Sequence, residues 1–148
     1  NGARDSGRHA PSREYLPARS EVMSVRLVHR PDARDDRDSS DPPTELLASD
    51  VDVARSTLEQ ARGLMFRRSV PDDYALVFPF DGPDTQWLHM LFVPVAIDAL
   101  WLVDGRVQKR KRLAPFVGVG RGRADTVVEL TAGAADAVAV GDEVRLVE

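Results

Sequence analysis

Apolar and polar residues alternate in short runs along much of the chain, with the period of two that is typical of a β-strand. Each run is rich in Val, Leu or aromatic residues and is bounded by Gly, Pro or Asp, so the pattern predicts eight short strands. These strands are expected at 25–29, 46–54, 75–80, 87–93, 96–103, 107–113, 126–130 and 143–147. Eight short strands favour an all-β sandwich or barrel.

One short helix is expected between the second and third of these strands. Ser56 and Glu59 have the spacing of a capping box, in which each side chain satisfies a backbone donor of the other at a helix start. Gly63 is well placed to end the helix, which leaves Thr57–Arg62 as its body. A helix of this length is not stable alone and must dock on the strands.

The chain has 148 residues, enough for one domain. Residues 1–22 contain Gly, Pro, Ser and Arg without apolar periodicity, so we expect a disordered tail there, with Met23 as an alternative start. A single domain is predicted over 23–148. Its segment 31–43 is almost entirely polar and predicts a mobile insert.

The dipeptide Asp104-Gly105 lies between two predicted strands and favours a two-residue type I′ turn. A turn at this position fixes a register in which Asp98 faces Lys111 and Trp101 faces Gln108. The strand 96–103 is apolar on both faces apart from Asp98, so we expect it to be central and covered on each side.

Composition narrows the class of protein without naming a function. The chain is 43% hydrophobic and 30% charged, lies within the range of globular domains, and contains no apolar run of the ~18 residues that a spanning helix needs. There is no cysteine, which excludes disulfides, thiolate metal sites and a cysteine nucleophile. A net charge of −4 does not favour a generic nucleic-acid binder. The excess of 18 Arg over 2 Lys and of 17 Asp over 7 Glu indicates a GC-rich genome and suits a salt-rich cytoplasm.

Three polar residues in apolar surroundings are candidates for chemistry. Asp98 requires a partner, either Lys111 or Arg67 in a register-fixing pair, or else a pocket where its pKa is shifted. Arg67 follows the predicted helix and is better suited to clamping a loop than to holding an anion. His89 is expected to be a core histidine, since a multi-histidine metal centre would need carboxylates from distant strands, and no metal or cofactor is predicted.

Basic residues concentrate late in the chain, at Arg106, Lys109, Arg110, Lys111 and Arg112 on a predicted strand, and at Arg121 and Arg123 in the loop expected beyond it. This run is either a phosphate-binding stripe or an edge strand protected by charge. Edge protection is favoured, because alternation sends the side chains to opposite faces and no aromatic residues interleave with them.

Taken together, these residues resemble the Domain of Unknown Function 192 family, and particularly its haloarchaeal members, over roughly 25–148. The residues that carry the resemblance are Glu59, Gly63, Leu64, Met65 and Arg67, the run Leu76-Val77-Phe78 with Phe80, Met90, Ile97-Asp98, Asp104-Gly105, Val128-Glu129-Leu130, Ala132-Gly133 and Gly141-Asp142. The resemblance implies a compact, mostly antiparallel β barrel or jelly-roll-like sandwich with one short helix, and no established activity. Many members carry Trp-Met-Lys-Asn-Thr where this chain has His89-Met90-Leu91-Phe92-Val93.

The leading functional hypothesis is a non-enzymatic binding or accessory module in which Arg67, His89 and Asp98 line a cleft for a small polar or anionic ligand. One alternative is a hydrolase or isomerase with Asp98 as base, His89 as acid and Arg67 as electrostatic stabiliser. Another is a structural or protein-interaction domain in which Arg67 and Asp98 clamp the fold. We expect a cytoplasmic monomer whose partner is a small molecule or a protein, and neither nucleic acid nor a membrane.

Overall fold

In the computed structural model, the described residues are 25–32, 43–54 and 69–148. They form eight β-strands and no helix, so none of them forms a helix that could cross a bilayer. The strands are β1 (Arg26–Arg30), β2 (Glu45–Ala48), β3 (Asp50–Val53), β4 (Tyr74–His89), β5 (Ile97–Val103), β6 (Arg106–Leu113), β7 (Val119–Thr131) and β8 (Glu143–Val147). The expectation of a mostly β fold is confirmed, and the predicted helix Thr57–Arg62 lies outside the described residues.

The strands form one sheet in the order β2-β1-β8-β6-β5-β7-β4-β3. Its two end strands, β2 and β3, are consecutive in the chain and separated only by Ser49, so the sheet curls until its edges approach. No ladder joins these edges in the part of the chain that the structure describes, and closure into a barrel stays a prediction.

One pairing departs from the antiparallel expectation, because β3 and β4 are parallel. Parallel neighbours need a crossover of a dozen or more residues, which is usually helical. The connection over 54–73 is long enough for such a crossover and contains the segment of the predicted helix.

Two of the predicted strand boundaries are wrong. The expected strand 46–54 is divided at Ser49 into β2 and β3, and the expected strands 75–80 and 87–93 are joined in β4. The turn-forming residues between them do not reverse the chain, because an irregularity between Pro79 and Asp84 accommodates them within β4.

Strand β5 is buried on both faces, as its sequence predicts. Ile97, Ala99 and Trp101 belong to one apolar cluster, and Leu100 and Leu102 belong to a second cluster on the opposite face. Asp98 lies on the same face as the second set, so its carboxylate is placed in an apolar environment.

The outer halves of β4 and β7 fold back as a two-stranded arm over Trp101. Trp101 is paired with Val127 in the β5–β7 ladder. Gly120 and Gly122 of the same strand also approach its ring so closely that a Cβ on either would lie 2.8 Å from it. Strand β7 must therefore bend across the indole. The indole Nε1 donates to the carbonyl oxygen of Gln86 at 3.0 Å. The arm therefore forms a second layer over one face of β5 and β6.

The β5–β6 hairpin confirms the predicted turn and corrects its register. Asp104 and Gly105 have φ of 49° and 75°, as a type I′ turn requires. A bulge at Gln108 then shifts the ladder by one residue, so that Trp101 faces Lys109 and Asp98 faces Arg112 instead of Lys111.

Candidate functional site

The carboxylate of Asp98, which is 2% exposed, is saturated by protein donors. Its Oδ1 accepts a hydrogen bond from Arg112 Nε at 2.8 Å, and its Oδ2 accepts from the backbone amides of Gly133 at 3.0 Å and Ala135 at 3.1 Å. The partner is thus Arg112, and the expected pair with Lys111 is wrong because of the bulge. Two strands and the turn that follows β7 meet at this one side chain.

These contacts keep Asp98 ionised. Burial acts to raise the pKa of Asp98, but hydrogen bonds from Arg112, Ala135 and Gly133 outweigh it, so the pKa lies below its ordinary value. The same pairing raises the pKa of Arg112. A carboxylate held in this way suits a structural clamp better than a general base, which should titrate near the working pH.

Two arginines complete the clamp around the 132–137 turn. Arg112 Nη2 also donates to Asp136 Oδ1 at 2.6 Å, and Arg110 Nη1 donates to the carbonyl oxygens of Ala135 and Asp136 at 2.7 and 3.0 Å. A small depression of about 180 Å³ lies among Asp98, Arg110, Lys111, Arg112 and Asp136. The side chains of the basic run therefore largely bind acceptors of the protein itself.

The edge-protection hypothesis for the basic run agrees with the position of β6. In the described residues, β8 pairs with β6 only through Arg106 and Glu143, which leaves most of the outer edge of β6 without a neighbouring strand. Lys109 Nζ and Lys111 Nζ donate to backbone carbonyl oxygens of β7, at 2.6 and 2.7 Å.

His89 is exposed at the end of β4, so its expected place in the core is wrong. The strand ends at this residue, and its side chain alternates with those of Leu88 and Met90, which point inward. His89 Nδ1 accepts a hydrogen bond from the backbone amide of Leu91 at 3.2 Å.

The structure does not bring His89 and Asp98 together. His89 is opposite Val119 on β7, whereas Asp98 is opposite Leu130. The arm that carries His89 lies over the face of β5 that contains Trp101, whereas Asp98 lies on the opposite face of this strand. The two side chains therefore lie on opposite sides of β5.

The remaining predicted residues are divided between the core, the turns and the undescribed segment. Arg67 and the motif residues Ser56, Glu59, Gly63, Leu64 and Met65 lie outside the described residues. Met90 and Glu129 are buried, at 1% and 6% exposure. Gly133 and Gly141 have φ of 96° and 94°, a conformation that favours glycine in turns.

A buried pair that sequence reasoning missed joins the first strand to the last connection. His29 is fully buried, and its Nε2 lies 2.7 Å from Asp142 Oδ2. Burial acts to raise the pKa of Asp142, but backbone amides of Asp32 and Ala139, together with His29, lower it. The two residues are 113 positions apart, and only the unusual polarity of His29 in an apolar strand signals the contact.

A second missed feature is an exposed face that combines an aromatic ring with cations. Trp87 is 62% exposed, and the Arg121 guanidinium lies 5.2 Å from the centre of its ring. His89 and Arg123 are on the same side of the arm, because Trp87 faces Arg121 and Thr85 faces Arg123 across the ladder. We call this set of Trp87, His89, Arg121 and Arg123 the arm face.

Arg121 and Arg123 are predicted from the sequence to lie in a loop, and this prediction is wrong. They lie within β7, two residues apart and therefore on one side of the strand. The cross-strand register that places Trp87 opposite Arg121 depends on the long β4–β7 ladder, which the sequence does not reveal.

Comparison with solved structures identifies two chains with the same fold. One is a candidate transcription regulator from Sinorhizobium meliloti 1021, with 21% identity, a TM-score of 0.69, and coverage of 82% of this chain and 93% of that chain. The other is a protein of unknown function from Novosphingobium aromaticivorans DSM 12444, with 22% identity, a TM-score of 0.68, and coverage of 95% and 99%. At these identities, the likeness concerns the fold alone.

No curated protein matches the sequence. Residues 40–146 match the family DUF192, described as "Uncharacterized ACR", and this match covers more than half of the chain. It begins after β1, includes β2 to β7 and ends within β8. On this evidence the chain belongs to the DUF192 family.

Proposed function

We propose that this chain is a non-enzymatic binding module that recognises an anionic group on its arm face. The observation that carries the proposal is the Arg121 guanidinium, which lies 5.2 Å from the exposed ring of Trp87. A guanidinium presents a planar set of donors that matches phosphate and carboxylate groups, and the adjacent ring shields one side from water.

The distribution of charge supports this proposal. The segments 85–97 and 105–124 contain no Asp or Glu, although the whole chain has a net charge of −4. Within the described residues, Arg110 and Arg112 bind groups around the Asp98 clamp, whereas no ion pair involves Arg121 or Arg123. These two cations are available to an outside anion.

The proposal retains part of the expectation from sequence. His89 stays a ligand-binding candidate, because it lies on the arm face beside Trp87. Asp98 is assigned to the fold clamp, and a role for Arg67 stays a prediction. The enzyme alternative needs Asp98 and His89 in one cleft, and their positions on opposite sides of β5 argue against that arrangement.

Two finer expectations also stay proposals. The curled sheet and the arm over Trp101 favour a sandwich-like or barrel-like shape. The excess of Asp and Arg favours a haloarchaeal type of member.

Trp87 provides a direct test, because the chain has two tryptophans and the other, Trp101, is fully buried. We would titrate the protein with inorganic pyrophosphate, tripolyphosphate and citrate while recording tryptophan emission and its quenching by iodide. Binding should protect Trp87 from iodide, and Trp87→Phe should abolish this response. Arg121→Gln should weaken binding by about tenfold, the loss expected for one charge-assisted hydrogen bond of ~1.5 kcal/mol.

The matched control is Arg145→Gln, since Arg145 is an exposed cation on β8 whose side chain is paired with Glu143. This variant should bind like the parent protein. Equal losses in both variants would indicate a non-specific effect of net charge, and the absence of any response to the three anions would contradict the proposal.

A further inference from the structure

Two turns lie side by side where the arm ends. The Met90 amide donates to the Gly118 carbonyl oxygen at 2.9 Å, and the Phe116 amide donates to the Val93 carbonyl oxygen at 3.0 Å. The turns present four large apolar side chains, Leu91, Phe92, Phe116 and Val117, which are 54%, 49%, 59% and 81% exposed. We call these four residues the apolar tip.

The backbone of the tip is held in conformations that bulky residues rarely adopt. Phe92 has φ of 60° in the third position of the Met90–Val93 turn, which is closed by a hydrogen bond of 2.9 Å. Phe116 has φ of 63° and is the central residue of a γ-turn closed from Val117 to Pro115, a strained type of turn. Glycine or asparagine would adopt both conformations at lower cost.

Exposed aromatic side chains at strained positions suggest a function, because neither solubility nor local backbone preference favours them. Met90 and Val93 are 1% and 4% exposed and fix the first turn to the core. The tip is therefore a supported apolar surface.

The chemistry changes in order along the arm away from the tip. His89 and Val119 form the first cross-strand pair, Trp87 and Arg121 the second, and Thr85 and Arg123 the third. Pairs on one face are about 7 Å apart, at ~3.3 Å per residue. The apolar tip therefore forms the end of the arm. The Trp87 ring and Arg121 lie about 7 Å beyond the His89–Val119 pair, and Arg123 lies farther from the tip.

This order matches the depth profile of a lipid bilayer surface. Apolar side chains enter the acyl region, aromatic rings with polar edges occupy the headgroup level, and arginines contact anionic phosphates. A second copy of this chain fits poorly, because it would bring the cations of two arm faces together, and like charges repel.

We infer that the apolar tip inserts into the surface of an anionic bilayer while Arg121 and Arg123 bind lipid phosphate groups. The inference rests on the proposed function, since the arm face supplies the anion contacts, and it names the source of the anion. It concerns peripheral docking by two turns, and it replaces the expectation from sequence that no membrane takes part.

The test measures co-sedimentation of the full chain with phosphatidylcholine vesicles that contain or lack phosphatidylglycerol. Trp87 emission in the same samples reports transfer to an apolar environment. The parent protein should bind the anionic vesicles, with a blue shift, and bind neutral vesicles weakly. Phe116→Asn should reduce partitioning by about tenfold or more, because burying a Phe side chain is worth about 1.5–3 kcal/mol.

Phe116→Asn also separates binding from folding, since asparagine tolerates positive φ and the variant should unfold at the same or a higher temperature. The control is Val140→Ser, because Val140 is also an exposed apolar residue, at 66% exposure, but lies away from the tip. The next residue, Gly141, donates its amide to the Val107 carbonyl oxygen, at the end of β6 that is remote from the tip. This control should leave vesicle binding unchanged.

Three outcomes would overturn the inference: no binding to anionic vesicles, equal binding by Phe116→Asn, or an equal loss in Val140→Ser. A single-stranded oligonucleotide that binds tightly and displaces the protein from vesicles would overturn it too, in favour of nucleic acid. If only the membrane inference fails, pyrophosphate should still protect Trp87 from iodide in the parent protein and in Phe116→Asn. If the proposed function itself fails, pyrophosphate should not protect Trp87 from iodide even in the parent protein.

Discussion

At the scale of single residues, Asp98 shows how one buried charge can organise three segments of the chain. Asp98→Asn keeps the size of the side chain but replaces an acceptor oxygen by an amide that cannot accept from Arg112 or from the backbone of the turn. We expect a loss of about 3 kcal/mol in the free energy of unfolding, as hydrogen bonds to a charged acceptor contribute ~1.5–3 kcal/mol each. Urea unfolding at neutral pH measures this loss.

Asp136→Asn is the matched control, because Asp136 contacts the same arginine from the surface, where its side chain is 70% exposed. Exposed ion pairs contribute little, so the control should lose less than about 1 kcal/mol. Similar losses in the two variants would argue against the clamp and in favour of a general effect of charge around Arg112.

The lowered pKa of Asp98 also predicts how its contribution depends on pH. A carboxylate whose pKa is lower in the folded state stabilises the fold above its unfolded pKa of about 3.9 and loses that contribution as the pH falls through the folded value. The difference in stability between the parent and Asp98→Asn should thus be constant from about pH 5 to 7 and decrease below about pH 4. Urea midpoints across this range test the sign, and a difference that increases in acid would contradict it.

At the scale of elements, the arm can lie on the Trp101 ring because the β7 residues that touch the ring, Gly120 and Gly122, have no side chain. A Cβ on Gly122 would lie 2.8 Å from Cγ and 3.0 Å from Cδ1 of an indole that is completely buried. Gly122→Ala should therefore lower stability by about 1–3 kcal/mol, the usual cost of overpacking a core. Thermal unfolding measures the change.

Gly82→Ala is the control, because a Cβ at Gly82 of the same strand pair has no neighbour within 4 Å. The control should leave the midpoint of thermal unfolding unchanged or raise it slightly, since alanine restricts the unfolded chain. A large loss in both variants would indicate that glycine is needed for backbone reasons, and the packing explanation would then fail.

The contrast within the β5–β6 hairpin explains which parts of the fold the sequence could predict. The Asp104-Gly105 turn was predictable because its chemistry is local. The bulge at Gln108 was not, since no local turn chemistry signals it, and the Asp98–Arg112 contact that it permits also involves the distant turn beyond β7. The arm face escaped prediction for the same reason: Trp87 and Arg121 are brought together by a ladder between distant segments.

At the scale of the whole molecule, the sheet extends beyond the part of the chain that matches the family. The family match starts at residue 40, yet β1 lies between β2 and β8 in the sheet. Leu27 and His29 of β1 are 1% and 0% exposed, and His29 is bonded to Asp142 in the connection before β8. The first strand is thus part of the core, although it lies outside the matched segment.

Two truncations test this view of the domain boundary. A chain that begins at Met23 keeps β1 and should unfold cooperatively at the temperature of the full chain, because the composition of residues 1–22 predicts a disordered tail. A chain that begins at Asp32 removes β1, exposes the edge of β8 and leaves Asp142 without His29, so it should lose cooperative unfolding. Calorimetry distinguishes the two, and a cooperative transition in the shorter chain would show that the matched segment folds without its first strand.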